Sequence, residues 1–368
     1  MGGGGEATGC NGTKLLGNPS TNQRGPWPVG QLTTQFGTLK NVVVFYPAKP
    51  GSQEGKQPYK FDARNALPPA ERTKIPETDT KYVSIDSYEN LPIDDAHGPY
   101  PAVILVHGTA SFAVASAGTM AHWASRGFIT MAADHPLLYL ADQITTCPAI
   151  PNVSNTLSAE VDSEISALKS PSGALAPLAG HIDMSRIGLA GHSAGAYNVA
   201  GFSDKPGVEV VIALSGTLAV KASSSLKSSL FVGGIADTVL PYNAGGPGIG
   251  LLYFPGNGSQ RQAYDATTGP KRILGITAGG HLAPTELCQT NAAGQTAMQV
   301  CQARGVSCLG LIPALFDCGT INWQKGVEIV NDVTAGVLEE TLHCQSRAAE
   351  ITAIKSRHPE VGEFLEAR

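Results

Sequence analysis

Ser193, Asp237 and His281 are the residues whose types and order could do covalent chemistry. Ser193 lies in Ile187-Gly-Leu-Ala-Gly-His-Ser-Ala-Gly195, where an apolar run enters Gly191 and a second glycine stands two places after the serine. A G-x-S-x-G run suits a strand that turns sharply into a helix, lifting the serine hydroxyl above a sheet edge at strained backbone angles. The plainer alternative is a small-residue turn with no chemistry. A serine hydroxyl is a weak nucleophile and needs a base, itself held by a third group.

Three histidines follow Ser193, at 281, 343 and 358. His281 comes after the apolar run Arg272–Thr277 through Ala278-Gly-Gly280, where a base on a loop would stand. His343 falls in an amphipathic stripe and His358 in a charged tail, where solvated histidines are ordinary. For the acid, Asp237 follows the run Ser229–Val232, with Asp265 as the alternative; Asp204 and Glu209 come too early. Negative charge developing on a substrate oxygen needs backbone donors, each typically worth roughly 3 kcal/mol. The Ala194 amide and the Thr109 amide, in His107-Gly-Thr109, are the candidates, with His107 expected to pack beneath that loop.

These residues need strands to hold them. Pro101–His107, Phe128–Ala133, Arg186–Ala190, Val208–Leu214, Ser229–Val232 and Arg272–Thr277 are short apolar runs bounded by Gly, Pro or polar residues. Such runs read as strands buried on both faces. An earlier strand spans Leu39–Tyr46, and Lys81–Ser87 is a short one. Helical patterns cover Gly118–Arg126, Thr156–Ser170 and a stripe from Trp323 to Leu342. The alternation predicts an α/β fold with a doubly wound, mostly parallel sheet. Residues 1–30 read as a flexible Gly-rich tail, 31–285 as the core, and 286–368 as a Cys-containing extension with a closing helix. Insertions at 241–262 and 285–320 interrupt the rhythm.

Only 15% of the 368 residues are charged and the net charge is −5, which argues against nucleic acid as a partner. No apolar run reaches the roughly 18–20 residues that span a bilayer. Seven cysteines show no C-x-x-C spacing, so no metal site is expected. Five lie after residue 285, which fits disulfides in an oxidising compartment. If Cys10 stays free on the tail, the other six could form three bridges of open connectivity; buried unpaired thiols are the alternative. The glycines after Met1 resemble the tether of bacterial lipoproteins. The expectation is a secreted or cell-envelope protein, with a lipid-anchored precursor whose signal is removed, or else a plain flexible end.

Val106-His-Gly-Thr109, Ala121-His-Trp-Ala-Ser-Arg-Gly-Phe128, Ile182-Asp-Met-Ser-Arg-Ile187, Ala236-Asp-Thr-Val-Leu-Pro241 and Gly280-His-Leu-Ala-Pro284 extend the pattern around the serine. Over about residues 100–285 the chain resembles the α/β-hydrolase superfamily, and more narrowly its bacterial cutinase and polyester (PET) hydrolase branch. Platelet-activating-factor acetylhydrolase and dienelactone-hydrolase types are also similar. The resemblance implies a serine carboxylester hydrolase of small esters or polyesters, with catalytic Ser193, Asp237 and His281, oxyanion donors at Thr109 and Ala194, and no cofactor. Phospholipid or lactone hydrolysis is the alternative, and a non-catalytic binding protein on the same fold the distant one. Three departures bear on substrate. Thr109 stands where polyester-cleaving relatives carry an aromatic residue, Ala194 where they carry Met, and Leu214-Ser-Gly-Thr217 lacks their cleft tryptophan. Aromatic contacts to substrate are therefore expected from Phe112, Tyr242 or Tyr253.

Overall fold

The six apolar runs become the parallel centre of a ten-stranded sheet. The structure is a computed structural model that describes residues 5–77, 82–147, 157–246, 258–309 and 312–368. Tyr253, Thr156 and residues 247–257 of the 241–262 insertion lie outside the described residues. In chain order the sheet contains β1 (Val29–Phe36), β2 (Leu39–Pro47), β3 (Tyr88–Glu89), β4 (Tyr100–Val106) and β5 (Ile129–Asp134). Then follow β6 (Ile182–His192), β7 (Val208–Leu214), β8 (Ser228–Gly234), β9 (Lys271–Ile276) and β10 (Val361–Ala367). Across the sheet they run β10-β9-β8-β7-β6-β4-β5-β2-β1-β3. β5, β4, β6, β7, β8 and β9 are mutually parallel. β2 and β10 bound this block with antiparallel pairing.

The principal helices are α1 (Ala117–Ser125), α2 (Leu157–Lys169), α3 (Ala194–Ala200), α4 (Gln260–Ala266), α5 (Ala297–Ala303) and α6 (Trp323–Leu342). Alternate strand residues face opposite layers, so β4 sends Val103 and Leu105 to one core and Ile104 to the other. On the first face α1 and α6 cover the sheet with Met120, Trp123, Val330, Val333 and Val337. The Trp123 indole donates to the Thr334 hydroxyl at 2.8 Å, tying these helices together. On the second face Val161 and Leu168 of α2 and Val199 of α3 do the same. This is the α/β-hydrolase fold. From β4 the chain crosses to β5 on one side and later to β6 on the other, so the strand order reverses between β4 and β6. A ligand crevice opens at the carboxyl ends of strands where such a reversal occurs.

Several expectations need correction. The described part of residues 1–30 is not a free tail: Trp27 and Leu15 are buried, and Glu6–Thr8 pairs with Lys14–Leu16. The Arg126 guanidinium, ion-paired inside the core with Glu339, also donates to the carbonyls of Pro19 and Gln23. Cys10 is bonded to Cys344, alongside Cys147–Cys308 and Cys288–Cys318, and Cys301 is the free thiol. The charged C-terminal tail supplies β10, an antiparallel edge on β9. His343 and His358 are buried rather than solvated. His343 stacks on Phe128 at 4.1 Å and meets the Gly127 carbonyl, and His358 meets Asp332. Among the described residues, no helix is long and apolar enough to cross a membrane.

Candidate active site

β6 ends at His192 and α3 begins at Ala194, leaving Ser193 as the whole turn. Its backbone sits at φ 54° and ψ −117°, a left-handed value that a residue with a side chain adopts only when its surroundings force it. The two flanking glycines are what the turn requires. A Cβ on Gly191 would lie 2.4 Å from the Gly195 carbonyl carbon, and one on Gly195 would lie 2.1 Å from the Val106 oxygen. The strand and helix therefore approach too closely for any side chain at either position.

The three residues with chemical potential meet here. His281 Nε2 is 2.9 Å from Ser193 Oγ, and His281 Nδ1 is 2.9 Å from Asp237 Oδ2. Ser193, Asp237 and His281 are all buried. Asp237 leaves β8 on its carboxyl side, and its other oxygen accepts the amides of Val239 and Leu240, each at 2.8 Å. Oδ2 also accepts the Gln260 side-chain amide at 3.0 Å, while that nitrogen donates to the Leu240 carbonyl at 3.0 Å. With both oxygens held, the carboxylate is fixed to receive Nδ1–H, which leaves Nε2 free to accept the serine proton. Asp265, the alternative acid, pairs instead with Arg261 on the outside of α4.

The His281 loop is held on every side. Its carbonyl accepts from His192 Nε2 at 3.0 Å and Ser215 Oγ at 2.9 Å. Burial, reinforced by the neighbouring His281, pushes His192 down to about 3, so it serves as a neutral donor. The amides of His281 and Thr238 both point to Asp317, which adjoins the Cys288–Cys318 bond. Gln260 and Asp317 escaped the sequence reading. Nothing in their local sequence marks them, because each acts across a long separation in the chain.

Beneath the opposite loop, His107 is buried as expected. Its Nδ1–H donates to the Gly108 carbonyl at 2.8 Å, and its Nε2 accepts the His135 amide at 3.1 Å. Burial and the adjacent His135 push it down to about 3, so it braces the loop as a neutral ring. The loop passes directly over the nucleophile: a Cβ on Gly108 would stand 3.0 Å from Ser193 Cβ. Thr109 lines the cleft in front of Ser193, and Ala194 is the first residue of α3, whose leading amides have no partner inside the helix.

The cleft itself is a cavity of about 70 Å³ that includes Ser193, His281, Thr109 and Phe112. The 285–320 insertion supplies much of its wall through Leu287, Met298, Cys301, Ile312, Leu315 and Phe316. Burial pushes the Cys301 thiol up to about 11, so it lines the space as a neutral, apolar group. Of the expected aromatic contacts, Phe112 lines this cleft and Tyr242 does not. Its ring is buried away from the cleft and its hydroxyl donates to Glu363 at 2.9 Å. Among the described residues, no cluster of His, Cys, Asp and Glu could hold a metal ion.

No protein-family model and no curated protein matches the chain. Among solved structures, a ferulic acid esterase from Streptomyces cinnamoneus superposes with a TM-score of 0.61 at 17% identity. The match covers 96% of this chain and 99% of that one. At this identity the likeness carries the fold alone.

Proposed function

We propose that the protein is a serine carboxylester hydrolase working through an acyl-enzyme. The observation that carries this reading is the Asp237–His281–Ser193 series of hydrogen bonds, ending on a left-handed serine at the mouth of an apolar cleft. His281 Nε2 takes the Ser193 proton as Oγ attacks the ester carbonyl. The Ala194 and Thr109 amides receive the oxyanion, and Asp237 stabilises the imidazolium. His281 then protonates the departing alcohol. In the second half a water molecule, deprotonated by His281, releases the acid and restores Ser193.

The substrate class follows from the cleft. A narrow apolar space walled by Leu287, Met298 and Phe316 suits a compact apolar acyl or aryl group. The structural neighbour is a ferulic acid esterase, and ferulic acid is an aryl acid. A polyester chain is less well served, since the 285–320 insertion walls the cleft and Tyr242 adds no aromatic surface to it. Three disulfides support an oxidising compartment, outside the cell or in its envelope. The test is Ser193→Ala, which should abolish hydrolysis of p-nitrophenyl butanoate and labelling by an organophosphate while the circular dichroism spectrum stays unchanged. Turnover in that variant would overturn the mechanism.

A further inference from the structure

A second cavity, of about 480 Å³, shares Phe112 with the catalytic cleft. Phe112 lines both spaces, and the neighbours Ala66-Leu67 and Tyr139-Leu140 each place one residue in either. The two are therefore neighbours, and their chemistry differs. The inner one is apolar, whereas the outer one is rich in amides and hydroxyls.

Thr33, Thr34, Gln35 and Asn65 line the outer cavity, and among the described residues their side chains make no hydrogen bond to the protein. The Tyr139 hydroxyl donates to the Asn65 carbonyl at 2.8 Å, which fixes the turn presenting that amide. Tyr59 and Phe61, meeting edge to face at 4.5 Å, add aromatic surface. Among the described residues, the charged groups in the lining are Asp62 and Asp134, and both are committed elsewhere. Asp62 accepts the Arg64 guanidinium at 2.6 Å and 2.9 Å. Asp134 accepts the Ala113 amide at 2.7 Å and the Asn41 amide at 2.6 Å. Among the described residues, no lysine or arginine lines the cavity.

These facts select among occupants. A phosphate or carboxylate would find no cation to pair with. A cationic group would compete with Arg64 and Asn41 for carboxylates already occupied. An alkyl chain would strip water from the free amides and hydroxyls and return nothing to them. A neutral group bearing several hydroxyls answers both features. It pairs with amides and hydroxyls, and lays its C–H faces on the rings of Tyr59 and Phe61.

We propose that the outer cavity binds the alcohol part of the substrate, and that this part is a neutral polyol or sugar-like residue. Phe112 is then common to the acyl pocket and the polyol pocket. The proposal rests on the esterase reading above, and the experiment separates the two. Values of kcat/KM are measured for four butanoates: the methyl ester, 1-butanoylglycerol, 6-O-butanoylglucose and butanoylcholine. The same set is run on Gln35→Ala and Asn65→Ala, both at exposed positions where the fold tolerates truncation. The native enzyme should favour the glucose ester over the methyl ester. Each variant should lower that ratio by about 2- to 10-fold, the usual range for one net hydrogen bond, and chiefly through KM. A ratio near unity in the native enzyme, a ratio untouched in both variants, or a preference for the choline ester would each overturn the subsite while leaving the esterase reading intact. Failure to cleave any of the four, the methyl ester included, would overturn both.

Discussion

Replacing Asp317 by alanine should loosen the base without touching it. The Asp317 carboxylate accepts the Thr238 amide at 2.8 Å, the Thr238 hydroxyl at 2.7 Å, the Gly319 amide at 3.0 Å and the His281 amide at 3.3 Å. Thr238 adjoins the acid and His281 is the base, so one side chain joins both loops to the segment anchored by Cys288–Cys318. Burial opposes its charge, but the four donors outweigh that and hold its pKa below the usual carboxylate value. A hydrogen bond to a charged group is worth about 1.5–3 kcal/mol, and water can replace Asp317 at its exposed contacts, so we expect a stability loss of about 2–3 kcal/mol. Displacing a reacting group by about 1 Å can cost on the order of 100-fold, so kcat should fall by about 10- to 100-fold with KM little changed. The assay is steady-state hydrolysis of p-nitrophenyl butanoate beside a thermal melt. Asp317→Asn, which keeps one oxygen, should recover part of the rate. A variant that melts lower yet keeps the native kcat would refute the coupling. Because the folded pKa is depressed, this stabilisation is present above the unfolded value of 3.8 and is lost as pH falls through the folded value.

Other perturbations have equally definite outcomes. Asp237→Asn should preserve the fold and lower kcat by about 10⁴-fold, since an amide in place of Oδ2 favours the wrong imidazole tautomer; a loss confined to KM would contradict this. Gly195→Ala should prevent correct folding, because its Cβ would lie 2.1 Å from the Val106 oxygen; a soluble, active variant would show that the elbow can relax. Burial first, with neighbouring positive groups, pushes His107, His192 and His343 down to about 3, so they are neutral when folded. The unfolded chain takes up their protons from about pH 6.5 downward, so denaturant midpoints should fall as pH drops from 6.5 towards 3. Glu286 acts in the opposite sense. Burial pushes it up to about 7 against the Gly118 and Thr119 amides, so its contribution is present below 4.5 and lost as pH rises through 7. Glu286→Gln should flatten that part of the profile.

What the sequence determined by itself was the part of the molecule fixed by short-range demands. Gly191, Ser193 and Gly195 announce an elbow because strand and helix must pass within contact distance over a few residues. Continuous apolar runs announce strands covered on both faces, and their order places Asp237 and His281 after β8 and β9. The tertiary structure decided everything that depends on residues far apart in the chain. Cys10 meets Cys344 across nearly the whole sequence, and β10 is recruited from a charged tail because the edge of β9 offers unpaired backbone groups. Tyr242 turned inward to Glu363, whereas Gln260 and Asp317 turned towards the acid and the base. The local sequence around a polar or aromatic side chain does not say which way it points, because direction is set by the partner waiting on another element. The chemistry was therefore legible in order and spacing. The cleft's wall and the polar cavity beside Phe112 existed only once the 285–320 insertion and the residues around 33–66 were folded against it.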